Sequence, residues 1–183
     1  MISLVLGGAR SGKSTYAEQL SRSLSKPQAG HLYYLATAQA LDSEMTRRIK
    51  HHQKQRDDDW ILKEVPINIF SFLEGLDHND VVLVDCLTLW LTNVIMSLGD
   101  SVTGEPADQL IQQQVEKLLT ALQSSRADIV LVSNEVGLGV MPLGEITRQF
   151  VDHAGWMNQA IAKIAQKVVL VTAGLPLTLK EVG

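Results

Sequence analysis

The sequence predicts a three-layer α/β fold built on a mostly parallel sheet, because short apolar runs alternate with longer segments of helical period. Each run is nearly continuously apolar, as in strands that are covered on both faces. The expected strands are residues 2–6, 31–37, 81–86, 129–133 and 168–172. Parallel neighbours need crossover connections, so we expect helices, in right-handed units, between these strands.

Helical periodicity is clearest in two of the connecting segments. In residues 109–123 and 145–165, apolar side chains recur every three or four positions and form one continuous stripe. Residues 81–98 predict a buried strand followed directly by a helix, and residues 99–106 predict a loop. After the last parallel strand, residues 173–176 predict a turn and residues 177–179 a returning strand, so we expect a hairpin at the sheet edge.

The composition fits a single domain over residues 1–183 and narrows the functional class. Hydrophobic residues make up 45% of the chain and charged residues 20%, which argues against disorder. A net charge of −4 gives no general attraction to nucleic acid. No apolar run has the length of a membrane span or a signal-peptide core, and the single cysteine, Cys86, cannot form an internal disulfide. We therefore expect a cytoplasmic protein with no membrane span and no nucleic-acid partner.

A glycine-rich motif follows the first expected strand. Residues 7–14 match G-x-x-x-x-G-K-[ST] and run into a helical segment, which is the context that a phosphate-binding loop requires. In such a loop, backbone N–H groups and the N-terminus of the next helix face the phosphate oxygens. Lys13 is expected to reach the β- and γ-phosphates, and the Ser14 hydroxyl to ligate Mg²⁺. The motif predicts a P-loop NTPase fold of the RecA-like type that binds ATP or GTP.

A second element supports a nucleotide site. Residues 81–85 form an apolar strand that ends in a carboxylate, so Asp85 is expected to hold Mg²⁺ directly or through water. Many buried strands end in Asp at an ordinary turn, which is the alternative interpretation. The phosphate loop favours the metal role.

Residues 43–56 form a basic segment that contains two adjacent histidines. If the segment is helical, Arg48, His52 and Arg56 share one face, and cations surround the imidazole. A neutral imidazole in that position could attack phosphorus as a nucleophile. From composition alone, a solvated amphipathic helix with surface histidines is favoured over this role. Metal binding by His51 and His52 is disfavoured, because adjacent helical side chains point about 100° apart.

Several motifs occur in a fixed order along almost the whole chain. They are residues 6–14, 34–39, 42–60, 85–93, 132–137 and 148–158. In this ordered set the chain closely resembles the bifunctional adenosylcobinamide kinase / adenosylcobinamide-phosphate guanylyltransferase family of cobalamin biosynthesis. The phosphate loop alone is shared by many families, whereas the ordered set is highly specific.

The resemblance implies two reactions and a homo-oligomer, with a trimer expected. ATP or GTP first phosphorylates the aminopropanol hydroxyl of adenosylcobinamide. His52 then attacks the α-phosphate of GTP, and GMP passes from the histidine to adenosylcobinamide phosphate, which gives adenosyl-GDP-cobinamide and pyrophosphate. His52 is chosen because the family spacing places the histidine between Ile49 and Arg56, while His51 stays open as the competing nucleophile.

The resemblance also implies which residues contact the nucleotide. They are Gly7, Gly8, Ala9, Arg10, Ser11, Gly12, Lys13, Ser14, Ala36, Thr37, Ala38, Gln53, Lys54, Gln55, Arg56, Glu64 and Asp85. Residues 133–135 follow an expected strand and should lie at the carboxyl edge of the sheet, although a turn with a helix cap explains them equally well. Arg148, Gly155 and Asn158 either line the corrinoid site or belong to a surface helix face.

Two other functions remain open on the sequence. A monofunctional small-molecule kinase needs the phosphate loop and Asp85 but gives His52 no role. A RecA-like ATPase module that acts on a partner is less favoured, because the net charge of −4 does not suit a nucleic-acid track.

Overall fold

A computed structural model describes residues 1–26, 29–39, 59–99, 102–139 and 144–182. Within these ranges, seven strands form one sheet in the order β3-β2-β4-β5-β1-β6-β7. Neighbours are parallel except for β6 and β7, which are antiparallel. The strands are β1 Ile2–Gly7, β2 Leu32–Ala36, β3 Ile61–Glu64, β4 Val81–Asp85, β5 Asp128–Asn134, β6 Lys167–Thr172 and β7 Leu175–Glu181.

Helices cover both faces of this sheet. The described helices are α1 Lys13–Leu24, α2 Ile69–Glu74, α3 Leu87–Ser97, α4 Glu105–Ser124 and α5 Glu145–Ile164. On one face, Ala17 of α1 packs into a cluster with Val5 and Val132. On the other face, helices α2 to α5 and alternate strand residues such as Leu4 form the larger core. The layers confirm the predicted three-layer α/β fold with a mostly parallel sheet.

Helix α4 begins earlier than the sequence suggested. We expected a loop over residues 99–106 and a helix from residue 109, whereas α4 starts at Glu105. A proline lies in the first turn of α4, where a backbone N–H would have no partner within the helix in any case. Glu105 and Asp108 place negative charge at the positive end of the helix dipole. The expected loop was therefore too long.

The predicted C-terminal hairpin is present, but its turn is shorter than predicted. Only Ala173 and Gly174 connect β6 to β7, and their φ angles of 50° and 79° are both positive, as a two-residue type I′ turn requires. Leu175 and Pro176, which we expected in the turn, belong to β7. Proline is tolerated there because β7 is an edge strand.

The elements β3 and α2 were not predicted. Strand β3 is exposed at all four positions and lies at the other edge of the sheet, so it carries no apolar run. Helix α2 has six residues, fewer than two turns, which is too short for a helical period to stand out. In the described part of the chain, no helix combines the length and the apolar character that crossing a membrane demands.

Candidate nucleotide-binding site

The sheet register brings the predicted site residues of five strands to one edge. Ala36, which ends β2, is in register with Asp85 of β4 on one side and with Glu64 of β3 on the other. Gly7, which ends β1, is in register with Asn134 of β5. This is the carboxyl edge of the parallel strands, where α/β proteins bind their ligands.

The phosphate loop links the end of β1 to the start of α1. Arg10 and Gly12 have positive φ angles of 56° and 94°, so the backbone curls tightly before the helix begins. A Cβ atom at Gly7 would fall against the Ser11 hydroxyl and 2.6 Å from the Val171 carbonyl oxygen. Glycine is therefore required at the point where the loop leaves the sheet. Gly8 and Ala9 are exposed within the loop.

Lys13 and Ser14 open helix α1 at the end of this loop. The Lys13 ammonium donates a hydrogen bond of 3.1 Å to the Gly8 carbonyl oxygen, so it lies across the mouth of the loop. Burial raises the pKa of the Cys86 thiol at the end of β4, and the nearby Lys13 charge acts only weakly in the opposite direction. Ser14 is partly buried in the first turn of α1.

The hairpin turn between β6 and β7 supports the phosphate loop from the other side. The Gly174 N–H donates a hydrogen bond of 2.8 Å to the Ser11 carbonyl oxygen. Because Gly12 and Gly174 both lack side chains, their backbones approach closely, and a Cβ atom at Gly12 would lie 3.2 Å from the Gly174 Cα. This contact, which joins the loop to the last hairpin, was not predicted from the sequence.

Asp85 is held by a buried tyrosine. The Tyr34 hydroxyl donates a hydrogen bond of 2.6 Å to Asp85 Oδ2. Tyr34 is only 2% exposed, so its buried ring holds the hydroxyl in a fixed position beside the Asp85 carboxylate. A hydrogen bond to a carboxylate at this distance is among the stronger ones in proteins. Tyr34 thus orients the carboxylate that the sequence singled out as a metal ligand.

Thr37 connects the ends of β2 and β4. Its hydroxyl accepts a hydrogen bond from the Cys86 N–H at 2.9 Å and donates one to the Cys86 carbonyl at 2.8 Å. Its own N–H donates to the Asp85 carbonyl at 3.2 Å, and the side chain is fully buried. Thr37 therefore braces the site, while the flanking Ala36 and Ala38 are partly exposed at the edge.

Helix α3 fixes the loops that follow β2 and β3. Asn93 donates from Nδ2 to the Thr37 carbonyl at 2.8 Å and to the Pro66 carbonyl at 3.0 Å. Trp90, which is fully buried, donates from its indole N–H to the Ile67 carbonyl at 2.7 Å. Sequence reasoning gave neither residue a role, although an asparagine within an apolar helix is the kind of signal that marks such a bond.

Cys86 is a structural residue. Burial raises the pKa of its thiol to about 11, and the nearby Asp85 carboxylate adds to this effect. The Thr88 hydroxyl, 3.0 Å from the sulfur, acts in the opposite direction but less strongly. At neutral pH the buried thiol is therefore mainly protonated, which does not favour a role as a nucleophile.

Strand β5 contributes a polar group next to the phosphate loop. The Glu135 N–H donates to the Gly7 carbonyl at 3.1 Å, and Asn134 Nδ2 donates to the Thr88 hydroxyl at 2.9 Å. Ser133, by contrast, is fully buried within the sheet. Residues 134 and 135 thus lie at the predicted edge, and residue 133 lies behind it.

Of the three α5 residues proposed for a corrinoid site, Asn158 reaches this edge. It is 7% exposed, and its Nδ2 lies 3.5 Å from the Asn134 carbonyl oxygen. Arg148 is exposed in the first turn of α5, and Gly155 is partly exposed further along the helix.

Ser14 and Asp85 suit a magnesium ion that keeps other ligands. They offer a hydroxyl and a carboxylate, the oxygen donors that Mg²⁺ prefers. Within the described ranges, no three His, Cys, Asp or Glu side chains are close enough together to hold a metal by themselves. Such an ion would take its remaining ligands from water and from nucleotide phosphates, as is common for Mg²⁺ in nucleotide sites.

The basic segment lies outside the described residues. This applies to residues 43–56 as a whole, and so to His51, His52, Gln53, Lys54, Gln55 and Arg56. Their predicted roles stay predictions. Glu64, the remaining predicted nucleotide contact, is exposed at the end of β3.

Residues 3–179 match the family model described as cobinamide kinase / cobinamide phosphate guanyltransferase. The chain is 44% identical over 181 residues to the bifunctional adenosylcobalamin biosynthesis protein CobP of Pseudomonas aeruginosa, with 98% of each chain covered. It is 37% identical over 186 residues to the protein CobU of Escherichia coli, with the same descriptive name, covering 98% of this chain and all of that one (100%). CobU of Salmonella typhimurium matches with the same identity, 37%, and the same coverage, 98% and 100%.

Among solved structures, the flagellar accessory protein FlaH of Methanocaldococcus jannaschii is similar with a TM-score of 0.46 and 12% identity. The match covers 98% of this chain and 78% of FlaH.

Proposed function

The chain belongs to the cobinamide kinase / cobinamide phosphate guanyltransferase family of bifunctional enzymes, and from this premise we propose that it carries out both reactions on adenosylcobinamide. ATP or GTP phosphorylates the aminopropanol hydroxyl. GMP is then transferred from GTP to the resulting phosphate through a covalent intermediate on His52, which yields adenosyl-GDP-cobinamide and pyrophosphate. The observation that carries the proposal is the phosphate loop, with Lys13 at its mouth and Asp85 oriented by Tyr34 at the same sheet edge.

In the kinase step, the loop between Gly7 and Ser14 holds the polyphosphate through backbone N–H groups and the N-terminus of α1. The Lys13 ammonium leaves the Gly8 carbonyl and binds the β- and γ-phosphate oxygens, which offsets the charge that develops there. Ser14 and Asp85 would hold Mg²⁺, which would neutralise phosphate charge. Tyr34 keeps the Asp85 carboxylate in place for that role.

In the guanylyl transfer, a neutral His52 nitrogen forms a bond to the α-phosphorus of GTP. The bond from that phosphorus to the bridging oxygen breaks, and pyrophosphate leaves with the electron pair. A phosphate oxygen of adenosylcobinamide phosphate then attacks the same phosphorus, and the histidine is released. The transfer is thus split into two displacements, in which first the histidine and then the cobinamide phosphate attacks the phosphorus. Gln53, Lys54, Gln55 and Arg56 accompany His52 as nucleotide contacts.

The test of the covalent step uses GTP labelled at the α-phosphate. The wild-type protein is incubated with the nucleotide and Mg²⁺, then denatured, and label bound to protein is measured. We expect label that is lost in acid and kept in alkali, as a phosphoramidate requires, and mass spectrometry should place it on His52. The His51→Ala variant is the matched control and should retain the label, whereas His52→Ala should lose it.

Label that persists in His52→Ala and disappears in His51→Ala would move the nucleophile to the neighbouring residue. A wild-type protein that phosphorylates adenosylcobinamide but never takes up label would contradict the bifunctional assignment and leave a monofunctional kinase.

We further propose that the enzyme is a single domain and works in the cytoplasm as a homo-oligomer, with a trimer expected. Sedimentation equilibrium of the purified chain, whose mass is 20.1 kDa, tests the oligomer directly. A monomer at micromolar concentration would contradict it.

A further inference from the structure

We propose that Glu135 is the catalytic base of the kinase step, and that it removes the proton from the acceptor hydroxyl while the hydroxyl oxygen attacks the γ-phosphate. The inference rests on the proposed kinase reaction. It concerns a residue for which neither the phosphate-loop motif nor the metal site provides a role.

The position of Glu135 in the sheet makes it the nearest strand-end carboxylate to the phosphate loop. It directly follows β5, which is the immediate neighbour of β1, and its N–H donates to the Gly7 carbonyl at 3.1 Å. Neighbouring strands lie about 4.8 Å apart, and β5 is one strand away from β1, which leads into the phosphate loop. Glu135 is therefore displaced sideways from β1 by about 5 Å, compared with about 10 Å for Asp85 on β4 and about 19 Å for Glu64 on β3. A base must come within hydrogen-bond reach of the attacking oxygen, which itself approaches the γ-phosphorus closely.

The carboxylate of Glu135 is held in one direction and partly exposed. Its Oε1 accepts a hydrogen bond of 3.1 Å from the Gly137 N–H, and the residue is neither fully buried nor fully exposed. The backbone just before it is fixed, because Asn134 bonds to Thr88 at 2.9 Å. Asp85, the next nearest strand-end carboxylate, already accepts from Tyr34 and is assigned to the metal. Glu135 is thus positioned and available for proton transfer.

The buried side-chain oxygen of Asn158, close to Glu135, helps to place the substrate that receives the phosphoryl group. Asn158 Oδ1 is buried and has no hydrogen-bond partner among the described residues. Asn158 is more than nine-tenths buried, and its Nδ2 lies 3.5 Å from the carbonyl oxygen of Asn134, the residue that precedes Glu135. Leaving such an oxygen unpaired costs free energy, which a water or a substrate donor admitted to it would recover. We therefore place the acceptor substrate on the α5 side of Glu135.

The step balances as a single displacement. The acceptor O–H proton passes to a Glu135 carboxylate oxygen, and the acceptor oxygen forms a bond to the γ-phosphorus. The bond between the γ-phosphorus and the β–γ bridging oxygen breaks, and the nucleoside diphosphate leaves with that electron pair. Glu135 afterwards returns the proton to water.

The experiment measures the two reactions of the full-length protein separately in Glu135→Gln. Phosphorylation of adenosylcobinamide is followed with γ-labelled ATP, and self-guanylylation with α-labelled GTP. We expect kcat of the kinase reaction to fall by about 10²-fold to 10⁴-fold, the usual contribution of a general base, with KM for ATP changed less than about threefold. Self-guanylylation should stay within about twofold of wild type, because no hydroxyl is deprotonated in that step. Glu74→Gln, an exposed carboxylate at the end of α2, is the charge-matched control and should leave both reactions unchanged.

A kinase kcat within about threefold of wild type in Glu135→Gln would overturn the assignment. A parallel loss of both reactions would do the same, because it would mean that Glu135 supports the loop instead of the proton transfer. A wild-type protein that phosphorylates no adenosylcobinamide would instead refute the proposed function from which the inference starts, so the two failures are distinguishable.

Discussion

Replacing Asn93 with leucine tests whether helix α3 holds the nucleotide edge together. Leucine has nearly the same size and shape but removes both donors, so the hydrogen bonds to the Thr37 and Pro66 carbonyls are lost. Each such bond contributes about 1 kcal/mol net, and the Thr37 carbonyl, which belongs to a fully buried residue, is left without its donor at a further cost of about 1–2 kcal/mol. We expect the free energy of unfolding to fall by about 3–4 kcal/mol.

For a chain of this length, that loss corresponds to a fall in Tm of about 5–15 °C. Urea unfolding followed by circular dichroism gives the free energy, and a GTP titration of the folded variant should show weaker binding, because residues 36–38 lose their brace. Ser97→Ala is the matched control on the same helix: it removes a local hydrogen bond to the Val94 carbonyl on the exposed side and should cost less than about 0.5 kcal/mol. If Asn93→Leu is no less stable than this control, α3 does not hold the edge in the way described.

Three further outcomes are expected. Burial alone would raise the pKa of Asp80, but hydrogen bonds from the N–H groups of Asp77 and His31 outweigh it and lower that pKa. Because the folded pKa lies below the unfolded one, the Asp80 carboxylate stabilises the fold above about pH 4. This stabilisation is lost as the pH falls through the folded pKa. Urea midpoints measured from about pH 7 down to pH 3 should therefore be lower for Asp80→Asn at neutral pH and converge with wild type in acid. Cys86 should resist a thiol reagent at about pH 8 in the folded protein and react fully in denaturant, because burial raises its pKa to about 11; rapid labelling of the native protein would contradict this. Gly30→Ala should lower Tm, since its Cβ would fall against the backbone of Asn79, whereas Gly75→Ala, with 3.6 Å to its nearest neighbour, should be tolerated.

The fold class and the phosphate loop could be predicted because their signals are local. A run of apolar residues, a glycine-rich turn and a helical stripe each occupy consecutive positions, and the register of a parallel sheet then brings the strand ends together. The exposed strand β3 and the short helix α2 lack such signals, since neither buries a continuous face over enough residues.

The groups that brace the site could not be predicted in the same way. Tyr34 and Asp85 are separated by 51 positions in the sequence, and Asn93 and Thr37 by 56, so only the folded arrangement pairs them. A tyrosine in an apolar strand and an asparagine in an apolar helix are each compatible with several roles. The role of each side chain follows from its hydrogen-bond partner in the folded protein and not from its residue type. The assignment of His52 stays a prediction, because it depends on a segment outside the described residues.

The pairing of the first strand has a consequence for the order in which the protein assembles. Strand β1 lies between β5 and β6, and the loop that follows it is bonded to the turn that precedes β7. Because β1 is synthesised before β6 and β7, the phosphate loop cannot adopt its folded conformation until those later strands have emerged from the ribosome. A ribosome-bound fragment that ends before Gly174 should bind GTP poorly, however well its earlier helices have formed.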